Sequence, residues 1–558
     1  MKVITNKKNQ IIVLVVALML VAACTERKST QVEPEIRNPI LPGFYPDPSI
    51  CRVDSDYYLV NSSFSWYPGV PIFHSRDLRN WKQIGHVLNR PEQLNLDSLG
   101  VSRGIFAPAI SHHNGIFFLV TTLVDKGGNF FVTAENPAGP WSNPKWLPEI
   151  DGIDPSFFFD DNDSCYIINN GPPPSNQPQY DGHRAIWIQR FDLEKQQLTG
   201  NRKIIVNGGS GTTKKPVWIE GPHIYKIDGW YYLMAAEGGT SENHSEVIFK
   251  SQSVWGPWEP WTNNPILSQR GLSADRENPI TCTGHADLVE TSSGEWWAVF
   301  LGCQPYDPTT ENFYNTGRET FMAPVEWVDG WPVIGEKEAT LKRSYPAPNL
   351  PEYAPDGYQP LNGSFSVRDE FDEETLPLYW NFLRTTRENW HSLANGKLVL
   401  QCRPEPLTGK GNPSLVARRQ QHAFCTASAA ISFQTNDANE TAGLVVFQNE
   451  KHFYALLVSQ KEGKPVLQLK KTDELLKEQQ LDSGSIDIQI KIVAKGKNYD
   501  FEYKTGSENW KLLEAGVDGT FLSTRTAGGF VGCYFGLYSI GKPKNQATFD
   551  WFQYDGDE

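Results

Sequence analysis

An all-β chain, a five-bladed β-propeller followed by a β-sandwich, is predicted by three observations. Aromatic residues make up 12 % of the 558 residues and charged residues only 21 %, a composition of packed strands rather than of coiled coil or disorder. A short apolar strand, a turn and an aromatic-rich strand recur five times within about the first 345 residues, and such self-similarity is the signature of repeat architectures. Beyond a Pro- and Gly-rich stretch, the pattern changes to short alternating strands that run to the C-terminus.

In chain order, residues 1–23 come first. A basic start (Lys2, Lys7, Lys8) precedes the apolar run IIVLVVALMLVAA and then Cys24, the pattern of a bacterial export signal. The stretch LVAAC resembles a lipobox, which makes Cys24 the lipidated first residue of the mature chain; a plain secretory signal is the alternative. Residues 24–37 are polar and Pro-containing and read as a tether. They lack an acidic cluster after Cys24, which favours the periplasmic side of the cell envelope over surface display.

The five copies of the repeat fill residues 38–345. They are PDPSICRVDSDYYLVNSS from Pro46, APAISHHNGIFFLVTT from Ala107, DPSFFFDDNDSCYIINNG from Asp154, EGPHIYKIDGWYYLMAAEGG from Glu220 and GHADLVETSSGEWWAVFLG from Gly284. Turn residues separate the paired strands of each copy (Asp54–Asp56, Asn114-Gly115, Asp160–Asp163, Asp228-Gly229, Ser292–Gly294), as hairpins require. The spacing between copies leaves room for two further strands each, such as VPIFHSRDLRNWKQIG and RAIWIQRFDLEKQQLTG. Four strands per unit, repeated radially, make a propeller blade.

That geometry gives the first residues of each copy a meaning. The innermost strands of a propeller surround its axis, so Asp47, the Phe106–Ala107 pair, Asp154, Glu220 and His285 converge on one cavity. Three carboxylates there cost desolvation and mutual repulsion, and at least one of them is held at a raised pKa. Folding alone has no use for such an arrangement, so it marks a functional site.

Residues 346–363 are rich in Pro and Gly without apolar periodicity and form a linker. Residues 364–558 carry the alternating segments KLVLQC, FCTASAAISFQT, TAGLVVFQN, FYALLVSQ, PVLQLKK, IDIQIKIVAK, YDFEYKT and GGFVGCYFGLYSI, a two-sheet sandwich of jelly-roll or lectin-like kind. The 51 basic and 65 acidic residues give a formal charge of −14, which argues against nucleic acid or an anionic membrane surface as partner. Beyond the N-terminus no apolar run is long enough to span a bilayer. Seven cysteines follow Cys24, scattered and without a CxxC pair, so neither a zinc site nor a disulfide framework is signalled.

The motifs YPDPSICRV, GIDPSFFFDD and WIEGPHIYK, with FSWYPGVPIFHSRDLRNW, RGIFAPAI, TGHADLV and GRETFMAPV, resemble those of glycoside hydrolase family 43, in the β-xylosidase/α-L-arabinofuranosidase branch that carries a C-terminal sandwich. The resemblance covers the whole mature chain. It implies an exo-acting glycosidase that inverts anomeric configuration, with an oligosaccharide as substrate. In such enzymes one carboxylate activates water and a carboxylic acid protonates the leaving oxygen, the two standing about 6.5–9.5 Å apart. By resemblance Asp47 is the base, Glu220 the acid with a raised pKa, and Asp154 the third acid that orients Glu220. A retaining mechanism of the invertase type is disfavoured, because an Asn-Asp-Pro-Asn-Gly start is absent.

The resemblance extends to further groups. Arg318 matches a pocket arginine that holds sugar hydroxyls or a carboxylate with its planar fork. His285 matches a histidine on the axis, under the sugar in some relatives and near a calcium ion in others; a hydrogen-bonded core histidine is the alternative. No cofactor is required, and a structural calcium near His285 is allowed. Phe64 and Phe106 match apolar walls of the terminal-sugar subsite, and Trp66 next to Phe64 is wall or core. Many relatives carry Trp where Phe106 stands; the smaller ring widens the wall and favours α-L-arabinofuranose over β-D-xylose. In this branch a sandwich loop leans over the pocket mouth, but the sequence does not single out its residue. Nothing in the sequence fixes an oligomeric state.

Overall fold

The computed structural model describes residues 34–557 apart from 310–311, 337–339, 358 and 482–486. The export segment, Cys24 and most of the tether lie outside the described residues.

Five antiparallel sheets make the propeller, each built on four strands, with a fifth two-residue strand added in blade two (Gly104–Ile105) and in blade four (Leu267–Ser268). Their strands are Ser49–Val53, Asp56–Val60, Gly69–Ser75 and Lys82–Leu88 in blade one, and Ala109–His113, Ile116–Val124, Gly128–Ala134 and Lys145–Trp146 in blade two. Blade three holds Ile153–Phe159, Cys165–Gly171, Ala185–Asp192 and Gln197–Asn207; blade four holds Glu220–Ile227, Trp230–Glu237, Ser245–Ser251 and Glu259–Pro260. Blade five holds Thr281–Glu290, Trp296–Cys303, Glu319–Val328 and Trp331–Ile334. Each inner hairpin turns on residues with positive φ, such as Asn114 (50°) with Gly115 (79°) and Asp228 (49°) with Gly229 (78°), as tight hairpins demand. The second strand of blade three, Cys165–Gly171, is buried along its whole length, because blades on either side cover both faces.

The ring is closed by the segment that precedes blade one. Asn38 Nδ2 donates to Met322 O at 2.7 Å, and Met322 N donates back to Asn38 Oδ1 at 2.8 Å. Leu41 bridges Thr320 in antiparallel fashion. The start of the repeat region is thereby stapled to blade five.

Residues 365–557 supply all eight strands of one antiparallel sheet and seven of the eight strands of a second, packed face to face. Asp487–Lys495 and Asn498–Thr505 alternate buried and exposed along their length. The core between the sheets holds Ile488, Ile490 and Ile492 against Leu444, Leu456 and Leu537.

The two domains share a sheet. The two-residue strand Trp66–Tyr67, a blade-one excursion, pairs with Asn381–Leu383 and so becomes the edge strand of one sandwich sheet. Arg384, fully buried beside it, donates from Nε to Leu99 O and from Nη1 to Gly411 O, each at 2.6 Å, and its Nη2 pairs with Glu450. A single apolar cluster joins Phe44, Phe64, Trp66 and Val101 of the propeller to Leu383, Phe447, Tyr534 and Tyr538 of the sandwich. Residues 36–558 consequently form one compact unit. The Pro-rich connection is pinned as well: Tyr353 N donates to Asp77 Oδ2 at 3.1 Å.

This arrangement corrects one expectation. Trp66 does not line the cavity; its strand pairing turns the indole into the interdomain core, stacked on Tyr534 with centroids 3.7 Å apart. A second correction concerns GGFVGCYFGLYSI, which is strand only from Tyr534 onward. Gly528 and Gly529 stand at φ 72° and 75° and carry the chain away from the sheet toward the propeller.

Candidate active site

The inner strands of the blades do not enter the cavity as regular strands. Asp47, Asp154 and His285 sit at φ 50°, 53° and 54° at the cavity end of blades one, three and five, and Gly221 sits at 55° in blade four. The ladders of blades three, four and five shift register there, between Ile153 and Ser156, between Glu220 and His223, and between Thr281 and Asp287. Such irregularities re-aim side chains, and the backbone strain they carry is maintained at functional sites. Pro48, Pro155 and Pro222 follow directly and fix φ as each regular strand begins. In blade four the left-handed position needs glycine for a second reason: a Cβ on Gly221 stands 2.9 Å from the His285 ring.

The result is a cavity of about 440 Å³ whose lining includes Asp47, Asp154, Glu220, His285, Arg318, Phe64 and Phe106. All three acids are buried, at 4–5 % exposure. Asp47 faces Arg318, whose Nη1 lies 2.9 Å from Oδ1 and Nη2 3.5 Å from Oδ2, and it also accepts from Ser62 Oγ. The pair is assembled by the ring closure: Tyr45 N donates to Arg318 O at 3.1 Å, and Asn61 Nδ2 donates to Tyr45 O, Pro46 O and Thr320 Oγ1. Arg318 therefore grips a protein carboxylate with its fork, and its Nε has no partner among the described residues.

Asp154 accepts from the backbone N–H of Gly221 at 3.2 Å, one residue beyond Glu220. Burial, and next the charge of Asp47, push Asp154 up to about 7, against the pull of the Gly221 N–H and of Arg318 and Arg184. Glu220 is raised well above the ordinary carboxylate range, first by burial and then by the charges of Asp154 and Asp47; Arg318 and a hydrogen bond from the Trp218 side chain offset part of this. The arrangement sets a protonated Glu220 opposite an Asp47 whose counter-charge is Arg318.

His285 is buried beneath these groups, and burial lowers its pKa to about 4, so the imidazole is neutral at working pH. Among the described residues no group of three or more His, Cys, Asp or Glu side chains converges to hold a metal ion.

Three phenyl rings make the apolar wall. Phe64 and Phe106 have centroids 5.0 Å apart, and Phe530 from the sandwich lies 5.9 Å from each. The Arg318 guanidinium sits over Phe64 at 5.7 Å and Phe530 at 5.5 Å, a contact favourable to a desolvated cation. Phe530 is held by its N–H donating to Ser102 Oγ at 3.0 Å, and Gly529 is glycine because a Cβ there falls 2.2 Å from that hydroxyl. Sequence reasoning left this loop residue unidentified; the Gly-Gly pair inside an otherwise alternating segment was its signal.

Trp218 and Arg184 also escaped the sequence reading. Trp218, two residues before Glu220 in the stretch WIEGPHIYK, lines the cavity. Arg184 lies over its ring at 5.0 Å and is tied to Asn170 Oδ1 at 2.7 Å, while Asn170 Nδ2 donates to Ile219 O at 2.5 Å. No motif marks Arg184, which directly precedes the third strand of blade three.

Comparison with known proteins agrees with this geometry. The profile of glycosyl hydrolases family 43 matches residues 36–332, and that of the beta xylosidase C-terminal Concanavalin A-like domain matches 368–555. A "xylosidase/arabinosidase" of Butyrivibrio fibrisolvens is 40 % identical over 93 % of this chain and 98 % of its own length. A "non-reducing end alpha-L-arabinofuranosidase" of Bacteroides ovatus is 39 % identical over 93 % and 94 %, and a "xylan 1,3-beta-xylosidase" of a Vibrio species 34 % identical over 93 % and 99 %. Among solved structures, a GH43_12 protein retrieved from capybara gut metagenome superposes with a TM-score of 0.85 at 42 % identity, covering 92 % of this chain and 96 % of that one. With both the propeller and the sandwich matched, the chain belongs to glycosyl hydrolase family 43.

Proposed function

We propose that this chain is an exo-acting, inverting glycosidase that releases terminal α-L-arabinofuranose, with β-D-xylose as its second sugar, from hemicellulose oligosaccharides such as arabinoxylan or xyloglucan fragments. The observation that carries this reading is the delivery of Asp47, Asp154 and Glu220 by three blades into one cavity walled by Phe530 of the other domain. A wall across the propeller's mouth suits a terminal sugar rather than the interior of a chain.

Glu220 gives its proton to the glycosidic oxygen as the bond to the anomeric carbon breaks. Asp47, held by Arg318 and Ser62, takes a proton from a water that attacks the anomeric carbon from the opposite face. The new C–O bond has inverted configuration, and the proton on Asp47 returns to Glu220 through solvent. Asp154 fixes the Glu220 backbone through Gly221 N–H, and its charge helps Glu220 retain its proton. The phenyl walls exclude bulk water. Phe106 and the name carried by the Bacteroides relative support arabinofuranose, and the name of the Butyrivibrio relative fits both sugars. A β-D-xylosidase acting on xylo-oligosaccharides is the second reading, supported by the Vibrio relative.

Rates on 4-nitrophenyl α-L-arabinofuranoside and 4-nitrophenyl β-D-xylopyranoside, with Glu220→Ala as control, test the assignment, and proton NMR of the first-formed anomer tests inversion. A wild type inert on every aryl pentoside would instead mark a glycan-binding protein. The N-terminal LVAAC stretch supports attachment to the cell envelope through a lipidated Cys24, on the periplasmic side. Metabolic labelling with palmitate, abolished by Cys24→Ser, is the expected result.

A further inference from the structure

We propose that Trp218 is the platform on which the sugar of the leaving group stacks, so that this one side chain sets the preference for a glycan, rather than a small group, on the far side of the scissile bond. The proposal rests on the glycosidase reading above and deepens it.

The direction follows from the acid. Glu220 protonates the glycosidic oxygen, so whatever departs with that oxygen lies on Glu220's side of the cavity. Trp218 is two residues away on the same segment, lines the same cavity, and contributes a side-chain hydrogen bond to Glu220. It is also the most open of the cavity's aromatic rings: Trp218 is 37 % exposed, whereas Phe64 is 1 % exposed. A closed phenyl wall suits the sugar that is sealed in, and an open indole suits the ring that projects toward solvent.

The indole is held in place rather than left to drift. Its backbone stands at φ 59°, a conformation that costs energy for a bulky residue and persists only where the surroundings impose it. They do so on both sides: Trp218 N donates to Gly182 O, and Gly238 N donates to Val217 O, both at 2.8 Å. Gly182 has no room for a Cβ, which would meet Val217 Cγ1 at 2.8 Å. The Arg184 guanidinium covers the ring at 5.0 Å and is itself fixed by Asn170. A large apolar ring, held rigid by strained backbone and left open beside the proton donor, is a surface for the apolar face of a pyranose.

The test compares two substrates with the same terminal pentose. In the pentosyl fluoride the leaving group has no ring; in an oligosaccharide the pentose is carried on a xylopyranose backbone. Wild type, Trp218→Ala and Trp218→Phe are assayed on both, with thermal unfolding to confirm that each variant is folded. The expected result is that Trp218→Ala loses about tenfold more kcat/KM on the oligosaccharide than on the fluoride, mainly through KM. Trp218→Phe, which keeps a ring but loses the N–H, retains most of the wild-type ratio. Equal losses on both substrates, or a Phe variant as deficient in the ratio as the Ala variant, would overturn the proposal. Failure of the underlying reading is distinct: wild type would then cleave neither the fluoride nor any aryl pentoside.

Discussion

Arg318 Nη1 lies 2.9 Å from Oδ1 of Asp47, across 271 residues of sequence, and both side chains are buried. The pair exists because the segment Leu41–Tyr45 is bonded to the strand of blade five that follows Arg318. Closure of the ring and orientation of the water-activating carboxylate are one structural event.

Replacing Arg318 should therefore cost both activity and stability. Arg318→Lys keeps a charge but loses the fork, and kcat/KM should fall by about tenfold to a hundredfold. Arg318→Ala leaves Asp47 buried beside an unfilled space, and losing one partner of a buried pair costs about 3–5 kcal/mol. Steady-state kinetics and calorimetry on the two variants would show the graded loss; an Ala variant as stable as wild type would contradict it.

Asp154→Asn should move the pH profile. The negative charge of Asp154 is one reason Glu220 holds its proton. A neutral Asn removes that contribution, the pKa of Glu220 falls, and the basic limb of kcat/KM shifts to lower pH. A profile measured across pH 4–9 with an unshifted basic limb would argue against electrostatic coupling.

Glu220→Gln should abolish activity on oligosaccharides yet stabilise the fold. The folded-state pKa of Glu220 lies above its unfolded value, so ionisation disfavours the folded state. That penalty is absent below about pH 4.3, grows as pH rises and levels off above the folded pKa. The rise in Tm, about 2 °C, should accordingly be larger at pH 9 than at pH 5. Scanning calorimetry at both pH values checks the trend.

Phe530→Ala removes a wall without touching an acid. KM for the aryl pentoside should rise by about tenfold while the pH profile stays in place. Gly529→Val should act in the same direction, since its Cβ meets Ser102 Oγ at 2.2 Å and its φ is 75°, displacing the loop.

Trp66→Ala should do the reverse. The indole is fully buried and stacked on Tyr534, and deleting it costs about 3–5 kcal/mol with little change in KM. Chemical denaturation with parallel kinetics separates the two cases.

Much of this was legible in the sequence because it repeats. Five hairpins with turn residues at matching places fix the blades, and the irregular entry to blades one, three and four is written as Asp-Pro, Asp-Pro and Gly-Pro. Asp47, Asp154, Glu220 and His285 fall out of that register. What was not legible depends on pairing between distant segments. Trp66 follows Phe64 by two residues, which puts both on one side of an ideal strand, but positive φ at Phe64 and the pairing with Phe382 and Leu383 send the two rings to different places. Phe530 sits in what reads as a continuous strand until the glycines turn it out. Arg184 and Trp218 meet through tertiary contacts that no local pattern records.

The shared strand Trp66–Tyr67 also decides how this protein can be cut. A truncation at the Pro-rich connection would strip the partner from a main-chain edge and bare Phe44, Trp66 and Val101 to water, while Arg384 would take its bonds to the propeller with it. The C-terminal half is thus a wall of the reaction chamber and a splint for the catalytic ring. It is no detachable accessory, and grafting it onto another propeller would require carrying that two-residue strand along.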